Sequence, residues 1–541
     1  MRTMGRDQQR KLDQQFAKIA GVPTLLLMER AALETMTVCQ EILAERGDLP
    51  IAVVVGRGNN GGDGYALARM LTAAGRRVTV YETEAAALSH ESDGDSDSGI
   101  NRRAVLNLSI PVFPIGEFDV SNRMVVDCVF GTGFTVRRAL DDDLIALFAK
   151  INAARTTYDA PVVSVDLPSG VDADSGLVAD GAVRATHTVT FVAPKPGILS
   201  HPGRNYAGKI IVRGLGIPES FIESVFKEMG GRNVQAITEA DLRHWRPERP
   251  ADGHKGTFGR ALILAGSEGM IGAGAMATDG CLRSGAGLVT WALPENVYAI
   301  GAPTCPQALV RPLSNDFSSR ILACKELIAE ARAVLVGPGS GTGKLMIHTL
   351  EQAIRNAPRL VIDADGLNCL AESAALRAEV GARIARHMEP AVLTPHPGEF
   401  ARLFPAAADF PQGRAAAAEL LAEQLNSVIV LKGMATVVAM PPSLQTADRI
   451  WINTSGNSGL AKGGSGDVLA GLMTGLLAQN LPLGVAVCGA VYLHGRAGDL
   501  LRDRTGERAM RPVDLPGVFA EVFTECGWEP ERELRECGFD E

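Results

Sequence analysis

Short, unbroken apolar runs recur along this chain, and almost every one stops at a glycine or a polar residue. IAVVV at Ile51–Val55 is followed by β-branched runs at Val78–Tyr81, Met124–Val126, Val162–Val165 and Thr188–Val192, with helix-compatible or glycine-rich stretches between them. A run apolar at every position reads as a strand covered on both faces, as in a parallel sheet. The alternation predicts an α/β fold built on a doubly wound sheet. It resumes at Arg260–Gly266, Ala333–Gly339, Arg359–Gly366, Ala391–Glu399 and Ser427–Gly433. In such sheets ligands sit at the carboxyl ends of the strands, so chemistry is expected in the polar residues just after each run.

With 541 residues the chain exceeds what one hydrophobic core supports, so at least two domains are required. The pattern weakens near residues 220–236, which places the domains at 1–225 and 236–541. Residues Arg10–Arg46 carry apolar positions at helical spacing, including Phe16, Ile19, Leu26, Met28, Leu33, Met36 and Ile42. The acidic stretch His90–Gly99 has no apolar residue and reads as a solvated surface loop.

A net charge of -9 argues against nucleic acid as a partner, although small anions remain compatible because backbone N–H groups can bind phosphate. Nine scattered cysteines without a CxxC pair fit buried thiols in the cytoplasm, not a disulfide framework or a zinc site. The amino terminus lacks the apolar core of a secretory signal, and the longest apolar run, Val468–Ala478, is too short to span a bilayer. A soluble protein is expected. Homo-oligomers are compatible with the sequence and not specified by it.

Two clusters carry chemistry. In VVVGRGNNGGDGYALA a buried strand runs into Gly56, Gly58, Asn59, Asn60, Gly61, Gly62, Asp63 and Gly64 before a helical pattern begins. Glycines admit a ligand close to the backbone, and the helix that follows aims free N–H groups at a phosphate. Gly56, Gly58 and Gly61 also satisfy GxGxxG, with Glu82 where a ribose-binding acid would sit, so a dehydrogenase is an alternative. The extra Asn-Asn and Asp can position a cation or a ligand hydroxyl.

NNGGDG, VDCVFGTGF at Val126–Phe134 and SVDLPSGVDADSG at Ser164–Gly176 together resemble the NAD(P)H-hydrate epimerase family over about Gln8–Pro218. The resemblance implies a Rossmann-like domain that interconverts the R and S hydrates of NADH and NADPH. By motif, Asn59, Asn60, Gly61, Gly62 and Asp63, with Gly131, Thr132, Gly133, Phe134, Thr135, Val136 and Arg137, would contact the hydrate. Asn60, Asp127 and Ser169 would surround a potassium ion, an oxygen set suited to a hard cation. Asp166 reads equally as the general acid/base and as an Asx-turn residue before Pro168. Arg30 stands in LMERA where many relatives carry Asn.

The second cluster, NTSGNSGLAKGGSGDVLAGLMTGLLA at Asn453–Ala478, sets Gly463, Gly464 and Gly466 before an apolar helix with Asp467 in its first turn. Backbone N–H groups there suit an oxyanion, and Asp467 lies where a base could face a hydroxyl. A helix-capping aspartate is the alternative, which the neighbouring glycines make the less favoured one. With HKGTFGRALILAG, VGPGSG, DADGLN, TPHPGE and LKGMAT, this element resembles the NAD(P)H-hydrate dehydratase family, of ribokinase-like fold, over about Ile237–Asp503. The resemblance implies dehydration of the S hydrate at the expense of ADP, with Mg²⁺ offsetting phosphate charge. Ala275, Gly339, His396 and Asp467 would contact the hydrate, and Lys432, Gly433, Met434, Ala435, Thr436 and Gly466 the adenine nucleotide. His396, between two prolines, also reads as a turn residue.

GPGSGTGK at Gly337–Lys344 is not a Walker A loop, because Leu345 stands where a magnesium-binding hydroxyl is needed. Asp363 and Asp365 are left without a role. Two other functions remain open at this level: an NAD-dependent oxidoreductase fused to a small-molecule kinase, and a non-catalytic nucleotide sensor.

Overall fold

The computed structural model describes residues 1–92, 95–121, 123–137, 139–229 and 233–529. Two compact units emerge, Arg2–Val234 and Gln235–Glu541 with Met1.

The first unit holds a seven-stranded sheet: β1 Ile51–Val55, β2 Val78–Glu82, β3 Val112–Pro114, β4 Met124–Cys128, β5 Val162–Val165, β6 His187–Phe191 and β7 Lys209–Arg213. The order is β3-β2-β1-β4-β5-β6-β7, with parallel pairing throughout. Every residue of β1 is fully buried, as its unbroken apolar run requires. The strand order reverses between β1 and β4, which opens a crevice at their carboxyl ends. Gly56, at the end of β1, fits there because an added Cβ would come within 2.2 Å of the Val129 carbonyl oxygen.

The second unit carries β8 Val234–Ile237, β9 Arg260–Leu264, β10 Leu288–Pro294, β11 Leu309–Leu313, β12 Ala333–Val336, β13 Arg359–Ile362, β14 Val392–Leu393, β15 Val428–Leu431, β16 Val437–Ala439 and β17 Ile450–Asn453. They form one sheet in the order β11-β10-β9-β12-β13-β14-β15-β16-β17-β8. The pairs from β11 to β15 are parallel, and the β15-β16 and β16-β17 pairs are antiparallel. Helix Ser465–Ala478 is buried along most of its length against helix Ile271–Leu282. Glycines allow the two backbones to touch: a Cβ on Gly471 would lie 1.9 Å from the Ala277 carbonyl oxygen, and one on Gly280 would lie 2.6 Å from that of Val468.

Two expectations need correction. The Arg10–Arg46 segment is two helices, Arg6–Ala20 and Thr24–Arg46, parted at Gly21–Pro23, and Ile19, Leu26 and Leu33 are exposed rather than core. A break at a glycine followed by proline resets the helical phase, so a single periodicity across it misplaces these residues. The acidic stretch is also not a loop throughout. Helix Glu84–Ser92 enters it, residues 93–94 lie outside the described residues, and helix Asp97–Asn107 begins with Ser96 as its cap and with Ser98 and Gly99 buried. Small polar residues can be buried at a helix start because their backbone groups are satisfied there. Helix Glu219–Met229 and β8 occupy most of the stretch 220–236, in which the two compact units divide after Val234, and residues 230–232 lie outside the described residues.

Gly471→Ala is expected to destabilise the protein by about 1–3 kcal/mol, because its methyl group must force two helix backbones apart. A lowered urea midpoint for the second unit checks this, whereas an unchanged midpoint would show that the contact is soft.

Candidate functional site

A cavity of about 1150 Å³ opens at the β1/β4 crevice of the first unit. Asn59, Asn60, Asp63, Gly131, Thr132, Gly133, Phe134 and Asp166 line it. Gly61 and Gly62 lie behind this wall, buried against the Gly56 carbonyl and the Met28 side chain. Thr135, Val136 and Arg137 are not on the wall, and Asp127 and Ser169 are fully buried beneath it. The helix after the glycine loop starts at Asn59, with Gly58 at φ 111°, a conformation that favours glycine.

Asp127 ends β4 with both oxygens bonded. Oδ1 accepts from the Ser169 hydroxyl at 2.6 Å, and Oδ2 accepts from the Ser169 N–H and the Ser164 hydroxyl, each at 2.9 Å. Burial nonetheless holds the Asp127 carboxyl above its ordinary range. Both polar atoms of the Asn60 amide are buried without a hydrogen-bond partner, an arrangement that costs free energy unless a ligand completes it.

Asp166 has φ 66°, and its carboxylate bonds to distant groups rather than to its own turn. Oδ1 lies 2.6 Å from Lys195 Nζ, and Oδ2 accepts the Thr132 N–H at 3.3 Å. The Asx-turn alternative therefore has no hydrogen bond to support it here. Lys195, fully buried, was not singled out by sequence because nothing in APKP marks it until β6 brings it to Asp166. Helix Arg6–Ala20 adds four more wall residues, Arg6, Gln9, Arg10 and Asp13, whose role the sequence did not mark. Arg6 Nε and Nη2 donate to the Thr132 and Phe134 carbonyls at 2.5 Å, fixing the 131–134 loop. Arg10 and Asp13 line the cavity as well, and burial pushes the Asp13 carboxyl up to about 6. The Asp63 carboxyl is also raised, by burial and then by the Asp166 and Asp13 charges. Asp97, from the acidic stretch once set aside, reaches the same wall, whereas Arg30 pairs with Glu34 away from it.

Glu82 is not free for a ribose. It is buried, accepts from Arg102 at 2.7 and 3.1 Å and from Tyr65 at 2.8 Å, so its capacity is spent inside the fold. The dehydrogenase alternative loses its acid.

In the second unit, Gly464 occupies the capping position of helix Ser465–Ala478 with φ 102°, so Asp467 is not the cap. Asp467 instead faces a charged cluster. Lys432 Nζ, after β15, donates to Asp363 Oδ1 at 2.7 Å and lies 4.0 Å from Glu399 Oε2. Thr394 donates to the same Asp363 oxygen at 2.7 Å. A Cβ on Gly466 would sit 3.1 Å from Lys432 Nζ, which puts the glycine turn directly on the ammonium. Burial, and then the Asp363 charge, push the Asp467 carboxyl up to about 7, against the pull of Lys432. Asp363 and Glu399 were thus missed by sequence; each looks like a turn residue until the sheet edge gathers them.

Gly339, at φ 58°, abuts Met270 and Ala273, and Ala275 lies on helix Ile271–Leu282, which runs along the Asp467 helix. His396 acts as a cap: Nδ1 accepts the Gly398 N–H at 3.0 Å, so the turn reading holds, with the rest of the ring half exposed. Gly433 and Ala435 both have positive φ, and Thr436 donates to the Gly433 carbonyl at 2.9 Å, which ties the 432–436 segment into a tight turn. The buried Arg414 guanidinium fixes its start by donating to the Leu431 and Lys432 carbonyls at 3.1 and 2.7 Å. Among the described residues no set of three His, Cys, Asp or Glu side chains forms a metal cage.

Residues 24–197 match the family model described as YjeF-related protein N-terminus, and residues 261–518 match the one described as NAD(P)H-hydrate dehydratase. A bifunctional NAD(P)H-hydrate repair enzyme of Moorella thermoacetica is 34% identical over 529 residues, covering 93% of both chains. The chain belongs to the bifunctional NAD(P)H-hydrate repair enzymes. The Escherichia coli member is 33% identical over 520 residues, 94% of this chain and 91% of that one. An ADP/ATP-dependent NAD(P)H-hydrate dehydratase from Bacillus subtilis, co-crystallised with ATP and Mg²⁺, is 33% identical and covers 54% of this chain and 99% of its own, with a TM-score of 0.47. The family combines an epimerase and a dehydratase, in keeping with the Rossmann-like and ribokinase-like α/β halves expected from sequence. Among the described residues no helix is long and apolar enough to cross a membrane.

Because Asp467 is raised in the fold, it is protonated below about pH 7 in the native state, yet ionised above about pH 4 when unfolded. Its burial therefore costs stability increasingly as pH rises from 4 through 7. Asp467→Asn should match the wild type in stability near pH 4 and exceed it by about 1–2 kcal/mol at pH 8. Calorimetry at the two pH values checks this; equal differences at both would refute the titration.

Proposed function

We propose that residues 1–225 epimerise the C6 hydroxyl of hydrated NADH and NADPH, and that residues 236–541 dehydrate the S hydrate with ADP. One observation carries the reading: at each sheet edge a carboxylate stands beside backbone N–H groups, Asp166 at the Thr132 N–H and Asp467 in the first turn of a glycine-capped helix.

In the first half, the carboxylate of Asp166 takes the proton of the C6 hydroxyl. The oxygen pair forms a carbonyl as the C6–N1 bond opens, and the N1 electrons delocalise into the ring carboxamide. Rotation about C5–C6, reclosure on the other face and return of the proton give the other epimer, with no net electron or proton consumed. Asn59, Asn60, Asp63 and Gly131–Phe134 are placed to hold the nucleotide, which supports their reading as its contacts. Gly61, Gly62, Thr135, Val136 and Arg137 serve by shaping that wall.

Asn60, Asp127 and Ser169 fit a potassium ion: all are oxygen donors, the Asp127 charge is fully buried, and the Asn60 amide lacks a partner. When bound, the cation supplies positive charge that offsets Asp127 beneath the nucleotide.

In the second half, Asp467 removes the proton of the S hydroxyl as the terminal phosphoryl group of ADP is transferred to that oxygen and AMP leaves with the bridging oxygen. The N1 lone pair then expels phosphate, and loss of the C5 proton restores the dihydronicotinamide ring. A carboxyl that titrates near neutrality suits a base for this task. The Gly463–Gly466 turn and the Lys432–Thr436 turn cradle the nucleotide, with Ala275, Gly339 and His396 toward the hydrate. The two-domain form favours ADP over ATP as the phosphoryl donor, and the Bacillus relative, named ADP/ATP-dependent, supports adenine nucleotide use. Mg²⁺ would arrive on the nucleotide phosphates, since it keeps its waters and needs no protein cage. The eight cysteines among the described residues are free and buried, which supports a cytoplasmic setting.

Asp467→Asn should abolish dehydration and leave epimerisation intact, whereas Asp166→Ala should slow consumption of R hydrate to its spontaneous rate of epimerisation. Separate assays of the two epimers, with ADP and ATP in parallel, decide this; wild-type turnover in either variant removes that residue from the mechanism.

A further inference from the structure

Lys195 follows β6 in the stretch VAPKP and is completely buried. A lysine is rarely held that way unless a partner compensates its charge, since moving an ammonium out of water is expensive. Its Nζ reaches Asp166 Oδ1 at 2.6 Å, and it also donates to the Thr190 hydroxyl and the Phe191 carbonyl, each at 3.1 Å. Those three partners use all the protons of the ammonium. Lys195 is not on the cavity wall, but Asp166 is. The ammonium therefore grips one oxygen of Asp166 from behind, while the other oxygen meets the Thr132 N–H at the loop that lines the cavity.

We infer that Lys195 is a positioning residue of the epimerase centre, which orients Asp166 toward the C6 hydroxyl. The inference rests on the reading of Asp166 as the acid/base. Two other ionisable groups share the field of Asp166, and both oppose Lys195. Asp13 approaches from helix Arg6–Ala20 and Asp63 from helix Asn59–Ala73, and both carboxyls are raised by burial and by neighbouring negative charge. Arg6, the nearest guanidinium from that first helix, is committed to Asp172 and to the Thr132 and Phe134 carbonyls. Without the ammonium, three carboxylates would crowd one pocket, and Asp166 would take up a proton more readily. The acidic form cannot accept the hydroxyl proton, so the base would be lost at a higher pH than in the wild type.

The test uses the full-length protein with R hydrate, comparing Lys195→Met, Asp166→Asn and the double variant. Lys195→Met should lower kcat of epimerisation by about tenfold or more with KM changed less than about threefold, and move the acidic limb of the kcat–pH profile upward by about one unit. Because Lys195 acts through Asp166, adding Lys195→Met to Asp166→Asn should change kcat by less than about twofold. A double variant markedly slower than Asp166→Asn would overturn the inference, as would an unshifted profile in Lys195→Met. Wild-type rates in Asp166→Asn would instead remove the acid/base reading itself, a separate failure. Should Lys195→Met fail to fold, as judged by circular dichroism, Lys195→Arg retains the charge. Its acidic limb should stay at the wild-type pH, and a shift of a unit in that variant would count against the proposed role.

Discussion

One buried ammonium set among several carboxylates governs each half of this protein. In the first it is Lys195, against Asp166 with Asp13 and Asp63 nearby. In the second it is Lys432, against Asp363 and Glu399 with Asp467 nearby. A parallel sheet produces such crowding readily, because its strands all deliver their carboxyl ends, and the polar residues after them, to the same edge. The crowding costs stability in isolation, since buried charges lose their water. The cation offsets part of that cost, yet Asp13 and Asp63 in the first group and Asp467 in the second keep a raised proton affinity.

The two halves solve the placement of backbone differently. At β1/β4 Gly56 brings the strand end against the Val129 carbonyl, and Gly61 brings the next helix against the Gly56 carbonyl. In the other half, close glycine contacts lie along helix Ser465–Ala478, at Gly471 and Gly475, while Gly464 turns the chain into its first turn. That helix is thus locked against helix Ile271–Leu282, and Asp467 is held by packing rather than by its own hydrogen bonds.

Much of this was legible in the sequence, for an identifiable reason. Residues buried on both faces leave unbroken apolar runs, so β1, β4 and β5 could be found where they stand. β3 and β7, at the edges of the first sheet, and β16 and β17, in the antiparallel part of the second, carry shorter or more mixed runs and were not visible. The glycine-rich elements were equally readable, since few other functions call for such clusters. What escaped were residues whose role exists only across long sequence separations. Lys195 and Asp166 are joined through adjacent strands, Asp363 and Lys432 across three strands, and Arg6 reaches the 131–134 loop from the amino-terminal helix. Asp97 was overlooked for another reason: a run of acidic and small residues resembles a solvated loop by composition alone, although its second half forms a capped helix whose start is buried.

The cysteines carry a consequence of their own. Those at Cys39 and Cys526 are pushed up to about 12, and Cys369 to about 11, by burial away from water. At physiological pH such thiols hold almost no thiolate, which is the form that peroxides attack. In a protein that restores reduced nicotinamide nucleotides, these buried thiols therefore present oxidants with few ready points of attack.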